Sequence, residues 1–210
     1  MKNAHTILPL ALAGFTLALS DMSAQAATTL ALSGHGSNPI VGWANEADGY
    51  KFTTLENSLE LNWLGLYDAP NGAEGTAGDD LNESHRVSIW RESDQLLVAQ
   101  TVVQPGDDLI GVFRGRSVPT VTLDPNTAYV IAADYATAAD RMQQGDDLTG
   151  WELNGISIQA GDGRYGTFGG GMPTPPYSLL IGPTFGVIPE PSAALLGGLG
   201  LLALLRRRRS

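Results

Sequence analysis

The chain has no cysteine among its 210 residues, and it has only three histidines. The lack of cysteine excludes disulfides, thiolate zinc sites, iron–sulfur clusters and a cysteine nucleophile. Basic residues are also few, with 12 lysines and arginines against 22 acidic residues. A chain with this excess of negative charge repels phosphate backbones, which argues against nucleic acid as a partner.

The middle of the chain is more acidic than the whole. Five of the 12 basic residues, Lys2 and Arg206–Arg209, lie at the two ends, together with two of the 22 acids. Residues 27–188 therefore hold 20 acids and seven bases, a net charge of −13. These 162 residues are enough to bury one hydrophobic core without disulfides.

Residues 1–26 have the three parts of a secretory signal peptide. Lys2 supplies the positive start, Ile7–Leu19 is an almost unbroken apolar run, and Ala24 and Ala26 form the A-x-A pattern that signal peptidase cleaves. The sequence therefore predicts export through the Sec translocon and removal of residues 1–26.

The C-terminal end carries a second signal. Pro189-Glu190-Pro191 precedes an apolar run, Ser192–Leu205. A cluster of four basic residues follows this run and consists of Arg206, Arg207, Arg208 and Arg209. A helix of the length of the run rises about 21 Å, less than the ~30 Å hydrocarbon core of a bilayer. Because the positive-inside rule keeps the arginines in the cytoplasm, the run is predicted to form a single short transmembrane helix that holds the preceding domain outside.

This order of Pro-Glu-Pro, short apolar helix and arginine cluster resembles the PEP-CTERM sorting signal. The resemblance implies recognition and cleavage by an exosortase, a membrane-bound processing enzyme. It also implies a Gram-negative bacterium that makes exopolysaccharide or biofilm. The expected route is transient anchoring in the inner membrane, with the domain on the periplasmic side, and then transfer to the outer surface or the extracellular matrix.

Between the two signals the sequence predicts an all-β domain. Apolar and polar residues alternate in Leu59–Tyr67 and Arg86–Trp90, which is the period of a half-buried strand. Clusters of Gly, Pro, Asn and Asp separate these runs from further β-branched or aromatic ones, at Leu96–Val103, Pro119–Leu123, Ala128–Ala133 and Trp151–Ile158. We expect an antiparallel, jelly-roll-like β-sandwich with one short helix over Ala136–Gln144.

The predicted domain order is a signal peptide (1–26), an N-terminal extension or first strand (27–49), the β-sandwich (50–186) and the sorting signal (187–210). The sandwich region also resembles a β-sandwich domain of unknown function that is common in PEP-CTERM proteins, and Glu83–Trp90 is the best-matching piece. That resemblance implies a fold and a location but no activity. Glu92–Gln95 departs from it, because a glycine turn is expected there.

Candidates for catalysis are sparse. The chain contains neither the G-x-S-x-G nor the H-E-x-x-H motif. Outside the signal peptide only His35 and His85 remain. His85, at the start of a predicted strand, is interpreted as a structural or loop-capping residue, and His35 as part of a glycine-rich linker. The sequence therefore predicts no catalytic residue.

Carboxylates and aromatic rings are the remaining candidates for a binding site. The densest oxygen cluster, which is either a Ca²⁺ site or a set of solvated turn residues, consists of Asp79, Asp80, Asn82 and Glu83. Sugar stacking needs exposed, coplanar rings, and the candidates are Trp43, Trp63, Trp90, Trp151, Tyr67, Tyr165 and Tyr177. Of these, Trp63 and Trp90 lie in alternating strands and are expected in the core.

Three functions follow from these observations. The first is a non-enzymatic exported protein of the envelope or extracellular matrix, associated with biofilm or exopolysaccharide. The second is a carbohydrate-binding module of that matrix. The third, a secreted hydrolase, needs two carboxylates about 5–10 Å apart in a cleft, and no pattern in the sequence indicates such a pair.

Overall fold

The computed structural model describes residues 28–68 and 81–188 of the chain, and in these two ranges the regular structure is entirely β. The strands, in chain order, are β1 (Thr29–Leu30), β2 (Leu32–Gly34), β3 (Ile40–Val41), β4 (Glu46–Thr54), β5 (Leu59–Tyr67), β6 (His85–Arg91), β7 (Leu96–Val103), β8 (Asp108–Ile110), β9 (Phe113–Leu123), β10 (Ala128–Tyr135), β11 (Met142–Gln144), β12 (Trp151–Leu153), β13 (Ile156–Ser157), β14 (Gly163–Thr167), β15 (Pro176–Tyr177), β16 (Leu180–Ile181) and β17 (Pro183–Ile188).

Two larger sheets carry most of the domain. One has the strand order β1-β17-β5-β9-β8, and the other has the order β15-β14-β4-β10-β6-β7, with β13 also paired to β4. Two small sheets, β16-β11-β3 and β12-β2, accompany them. All of these strand pairs are antiparallel. The prediction of an all-β, antiparallel fold is therefore confirmed.

Buried side chains from both larger sheets share one hydrophobic core. Phe52 of β4 stacks on Tyr129 of the neighbouring strand β10, with ring centroids 5.6 Å apart. It also contacts Phe185 of β17, in the other sheet, at 5.0 Å. Because these rings join strands of different sheets, the two sheets face each other across the core, which is consistent with a β-sandwich.

From Trp63 to Tyr67 strand β5 is buried on both faces, so the expectation of a half-buried strand is wrong for this part, whereas Glu60 near its start is exposed. Leu64 and Leu66 are fully buried, and Trp63 is only 3% exposed although it points to the opposite face. The indole of Trp63 lies over Gly65 and Gly115, where an added Cβ would collide with the ring. The two glycines make the room that lets a large aromatic side chain lie flat on the sheet.

The predicted helix over Ala136–Gln144 is wrong. Residues 136–141 form irregular backbone, and β11 follows, with Gln143 opposite Ile40 and Ile181. Pairing on both sides supplies the hydrogen bonds that a helix would otherwise make internally. Tertiary context overrides a weak local helix preference in this segment.

The hairpin between β6 and β7 closes without the glycine that the resemblance leads one to expect. Gln95 takes the left-handed backbone conformation, with a φ of 57°, that glycine adopts most easily. The Asp94 carboxylate supports the turn, since it accepts hydrogen bonds from the Leu96 amide and from the Arg91 guanidinium. Side-chain hydrogen bonds thus stand in for glycine at this turn.

Candidate functional site

Within the described residues, a group of hydrogen-bonded polar side chains lies where two segments meet, at the start of β6 and just after β10. Asp140, which is 5% exposed, is at its centre. One carboxylate oxygen accepts the backbone N–H of Asn82 at 2.8 Å and the Asn82 side-chain amide at 2.9 Å. The other accepts the Glu83 backbone N–H at 3.0 Å and lies 2.7 Å from Nε2 of His85. Asp140 therefore connects the two segments.

His85 is fully buried, and both of its ring nitrogens are engaged. Nδ1 lies 2.7 Å from the backbone carbonyl oxygen of Asp134, and a carbonyl only accepts, so Nδ1 is the donor. The imidazole packs against the ring of Tyr135, with centroids 5.0 Å apart. The prediction of a structural or loop-capping histidine is confirmed by these contacts.

Glu83 makes a second connection between the same segments. Its Oε1 accepts hydrogen bonds from the backbone N–H of Thr137 at 2.9 Å and from the Thr137 hydroxyl at 3.1 Å. Its carboxylate also lies near the polar atoms of His85 and Asp140, so that one ligand atom from each of the three residues lies within 4.8 Å of the others. We call Glu83, His85 and Asp140 the polar triad.

Hydrogen bonding dominates the ionisation of Asp140. Burial by itself raises the pKa of a carboxyl group, but the hydrogen bonds from His85 and Asn82 outweigh it and lower the pKa of Asp140 below its usual value. Asp140 is therefore a buried carboxylate whose charge is stabilised by the donors around it.

The calcium cluster inferred from the sequence is only partly within the described residues. Asp79 and Asp80 lie outside them. Asn82 turns its amide nitrogen, a donor, toward Asp140, and Oε1 of Glu83 is already bonded to Thr137. The structure thus brings Asn82 and Glu83 to Asp140, a residue that no sequence pattern connects with them.

Asp48, in the middle of β4, is a buried carboxyl group that the sequence pattern did not single out. Its side chain is fully buried, and neither oxygen has a hydrogen-bond partner within residues 28–68 and 81–188. Burial raises the pKa of Asp48 to about 7, and the negative charge of Glu46 on the same strand adds to the rise. Because the group is enclosed, it cannot touch a substrate in this conformation, and its chemistry is limited to binding a proton.

The prediction that His35 belongs to a linker is wrong. Its Nδ1 lies 2.8 Å from the Tyr67 hydroxyl, and the Gln143 side-chain amide donates to that hydroxyl at 3.2 Å and to the Gly36 carbonyl at 3.0 Å. Strand β2 pairs with β12 and brings this segment against the domain. The glycine-rich sequence around His35 does not indicate this hydrogen-bond network, because Tyr67 and Gln143 lie far from His35 in the sequence.

The aromatic candidates divide into two groups. Trp63, Trp90 and Trp151 are 3%, 7% and 8% exposed, and Tyr67 is fully buried. The expectation that Trp63 and Trp90 are buried is confirmed, and none of these four rings is available to a sugar. Burial follows from their positions in paired strands.

The second group forms a surface patch, which we call the aromatic patch. It consists of Trp43, Tyr165 and Tyr177, and the two tyrosines are 39% and 38% exposed. Trp43 and Tyr165 each meet the Tyr177 ring edge-on, with centroids 5.6 Å and 5.7 Å away and planes at 72°. Since these contacts are perpendicular, the patch does not form the flat strip of coplanar rings that sugar stacking needs.

No protein-family model matches the chain, and no curated protein matches it either. Within the described ranges there is no helix of the length and apolarity needed to cross a membrane.

The residues of both terminal signals lie outside the described ranges, so their roles stay predictions. In the signal peptide these residues are Ala24 and Ala26. In the sorting signal they are Pro189, Glu190, Pro191, Arg206, Arg207, Arg208 and Arg209.

Proposed function

We propose that this chain is a non-enzymatic exported protein, held briefly at the inner membrane and then sorted by an exosortase to the outer surface or the extracellular matrix. The observation that carries this proposal is the position of the two ends of the domain. Strand β1 lies antiparallel to β17, with Thr29 opposite Val187. The segments that lead to the N-terminal and C-terminal signals therefore leave the domain side by side.

This arrangement suits a protein that changes from one membrane attachment to another. A domain held by its signal peptide and a domain held by its C-terminal helix would present the same end to the membrane. Transfer between the two states would need no reorientation of the domain. Strand β17 ends at Ile188, directly before the Pro-Glu-Pro motif in the sequence, so the motif begins where the domain ends.

A cavity lies beside these ends of the domain. The cavity has a volume of about 300 Å³ and is lined by Thr29, Asn57, Ser58, Leu59, Asn154, Gly155, Val187 and Ile188. These side chains include no carboxylate, histidine or lysine. The cavity therefore offers no acid–base pair of the kind that glycoside hydrolysis uses.

We also propose the finer description of the fold as a jelly-roll-like β-sandwich. The chain crosses from one large sheet to the other between β4 and β5, between β5 and β6, between β7 and β8, and between β9 and β10. Repeated crossing of this kind is typical of antiparallel sandwiches in which the chain wraps around the core.

Mass spectrometry of the intact protein tests the sorting proposal in a host that has an exosortase. We expect the wild-type protein to lack residues 1–26 and the segment beyond the Pro-Glu-Pro region. Deletion of Arg206–Arg209, or Glu190→Ala, is expected to leave the precursor in the inner membrane, whereas Glu60→Ala, on the exposed side of β5, is processed normally. Wild-type protein that keeps its whole C-terminus in that host would show a simple anchored protein instead.

Carbohydrate binding is the second candidate, because Tyr165 and Tyr177 of the aromatic patch are exposed. A single exposed ring can stack on one sugar residue without the coplanar strip that a longer sugar chain needs. Aromatic faces stack on sugar rings, and Gln144 adds an amide that donates to the Tyr177 hydroxyl at 3.1 Å. We expect Trp43→Ala or Tyr165→Ala to reduce retardation of the full chain in gels that contain the producer's exopolysaccharide. The matched control is Leu96→Ala, an exposed apolar residue on β7. Equal mobility of the wild type with and without polysaccharide would eliminate this candidate.

A further inference from the structure

We infer that the polar triad, Glu83, His85 and Asp140, binds a divalent transition-metal ion, and that Zn²⁺ fits it best. This inference is independent of the sorting proposal. The three side chains come from two segments that are more than 50 residues apart, and one ligand atom from each lies within 4.8 Å of the others. Ligands held at ~2.0–2.2 Å from one zinc ion lie about 3–4 Å from each other. Small side-chain adjustments therefore suffice to bring all three onto one ion.

The histidine is already oriented as a metal ligand. Because Nδ1 donates to the carbonyl oxygen of Asp134, Nε2 is the ring nitrogen that faces Asp140 and that would bind the ion. A backbone carbonyl on the other ring nitrogen is a common outer partner of metal-bound histidines, where it fixes the tautomer and the ring orientation. The contact with Tyr135 holds the buried ring in place from the side.

The distances between the three side chains also suit a shared ion. Nε2 of His85 and a carboxylate oxygen of Asp140 lie only 2.7 Å apart, and the Glu83 carboxylate lies beside them. A divalent ion bound to all three would balance the negative charge of the two carboxylates.

The donor set selects the class of ion. Calcium takes six to eight oxygen ligands, and an imidazole nitrogen is not among its usual partners. Zinc accepts histidine nitrogen together with carboxylate oxygen, and sites with three protein ligands leave one position for water. Glu83 is half-buried, whereas His85 and Asp140 are buried, so the Glu83 side of the triad is the one nearer to solvent. The triad thus shares only Glu83 with the calcium site considered from the sequence, and it favours a different metal.

Co²⁺, a spectroscopic substitute for Zn²⁺, tests this inference on the full chain without a polyhistidine tag. We expect one equivalent of Co²⁺ to produce visible d–d absorption bands that one equivalent of Zn²⁺ abolishes. Millimolar Ca²⁺ is expected to leave the bands unchanged. Zn²⁺ is also expected to raise the thermal unfolding temperature of the wild-type protein, because it binds only the folded state.

Glu83→Gln is the decisive variant, because His85→Gln disturbs a fully buried side chain and its failure to fold would be uninformative. The glutamine keeps an oxygen for Thr137 but removes the charged ligand. We expect at least tenfold weaker Co²⁺ affinity with an unchanged unfolding temperature in the absence of metal. Glu60→Gln is the matched control and is expected to bind like the wild type. Absence of saturable Co²⁺ binding by the wild type, equal affinity in Glu83→Gln, or displacement of Co²⁺ by Ca²⁺ would each overturn the inference.

Discussion

Asp140 and Asp48 are both buried carboxyl groups, but their surroundings differ completely. Asp140 receives hydrogen bonds from Asn82, Glu83 and His85, whereas Asp48 has no partner in the described part of the chain. In Asp140 these donors overcome the effect of burial and lower the pKa, and in Asp48 burial acts unopposed and raises the pKa to about 7. Burial alone therefore does not decide how a carboxyl group ionises, because the available donors matter as much.

The difference has a structural cause. Asp140 lies in an irregular loop, and it faces a second loop whose backbone N–H groups are free to bond to it. Asp48 lies in the middle of β4, where the neighbouring backbone groups already bond to β10 and β14. Its neighbour on β10 is Ala133, which has no polar side chain. A loop can satisfy a buried carboxylate with its own amides, while the interior of a sheet cannot.

The largest loss of stability is expected when the partnered carboxylate of Asp140 is removed. Asp140→Ala leaves His85 buried without its partner. It also removes the acceptor for the amide hydrogen bonds of Asn82 and Glu83. We expect a loss of about 3–5 kcal/mol in the free energy of unfolding, measured by urea denaturation. Asp94→Ala is the matched control, since that carboxylate makes similar hydrogen bonds on the surface, where solvent screens them and the expected loss is much smaller. Equal losses would show that burial of Asp140 adds nothing.

The next prediction concerns the pH dependence of the free energy of unfolding. The pKa of Asp48 is raised, whereas that of Asp140 is lowered, so Asp48 makes the protein less stable as the pH rises. The pKa of Asp48 is about 7 in the folded protein and near 3.8 in the unfolded chain, so the folded state binds more protons between these values. Stability contributed by protonated Asp48 is full below pH 4, is lost as the pH rises to about 7, and stays constant above that. The loss amounts to at most about 4 kcal/mol, at 1.36 kcal/mol per pKa unit.

Urea denaturation of the wild type and of Asp48→Asn across pH 4–8 measures this loss. We expect the variant to gain stability relative to the wild type as the pH rises, because an amide carries no charge. Asp94→Asn serves as the control, since hydrogen bonds from Arg91 lower the pKa of Asp94 and its contribution changes only in acid. A constant difference between the wild type and Asp48→Asn would show that Asp48 is partnered or hydrated in solution.

The smallest change in stability is expected from two buried tyrosine hydroxyl groups, one with hydrogen-bond partners and one without. Tyr67 bonds to His35 and Gln143, whereas the Tyr135 hydroxyl has no partner among residues 28–68 and 81–188. We expect Tyr67→Phe to cost about 1 kcal/mol and Tyr135→Phe to cost nothing or to stabilise slightly, since it removes an unsatisfied group. Thermal unfolding of the two variants measures this contrast, and equal effects would contradict it.

Much of the fold could be predicted, because local patterns govern it. Alternation in Arg86–Trp90 and the apolar run Leu96–Val103 both mark strands that the structure contains. The predictions that went wrong concern segments whose partners are distant in sequence. His35 looked like part of a linker and residues 136–144 like a helix, because neither segment shows locally what it packs against.

The candidate site shows the same limit. Glu83 and His85 lie within the segment that the sequence pattern singled out, and His85 was correctly interpreted as structural. Asp140 was not connected with them, since it lies 55 residues beyond His85. Carboxylates in turns look alike in a sequence, whether they are solvated or hold two loops together.

The sequence by itself determined the β-structure of the domain, its acidic character and the patterns of two terminal signals, because strand periodicity, net charge and signal patterns are local or additive properties. Only the tertiary structure decided which acids are buried and which of them have partners. It brought Asp140 to His85 and Glu83, left Asp48 without a hydrogen-bond partner among the described residues, and exposed Tyr165 and Tyr177 beside the half-buried Trp43. Such contacts depend on strand register and on the meeting of distant loops, and the packing of the whole chain sets both.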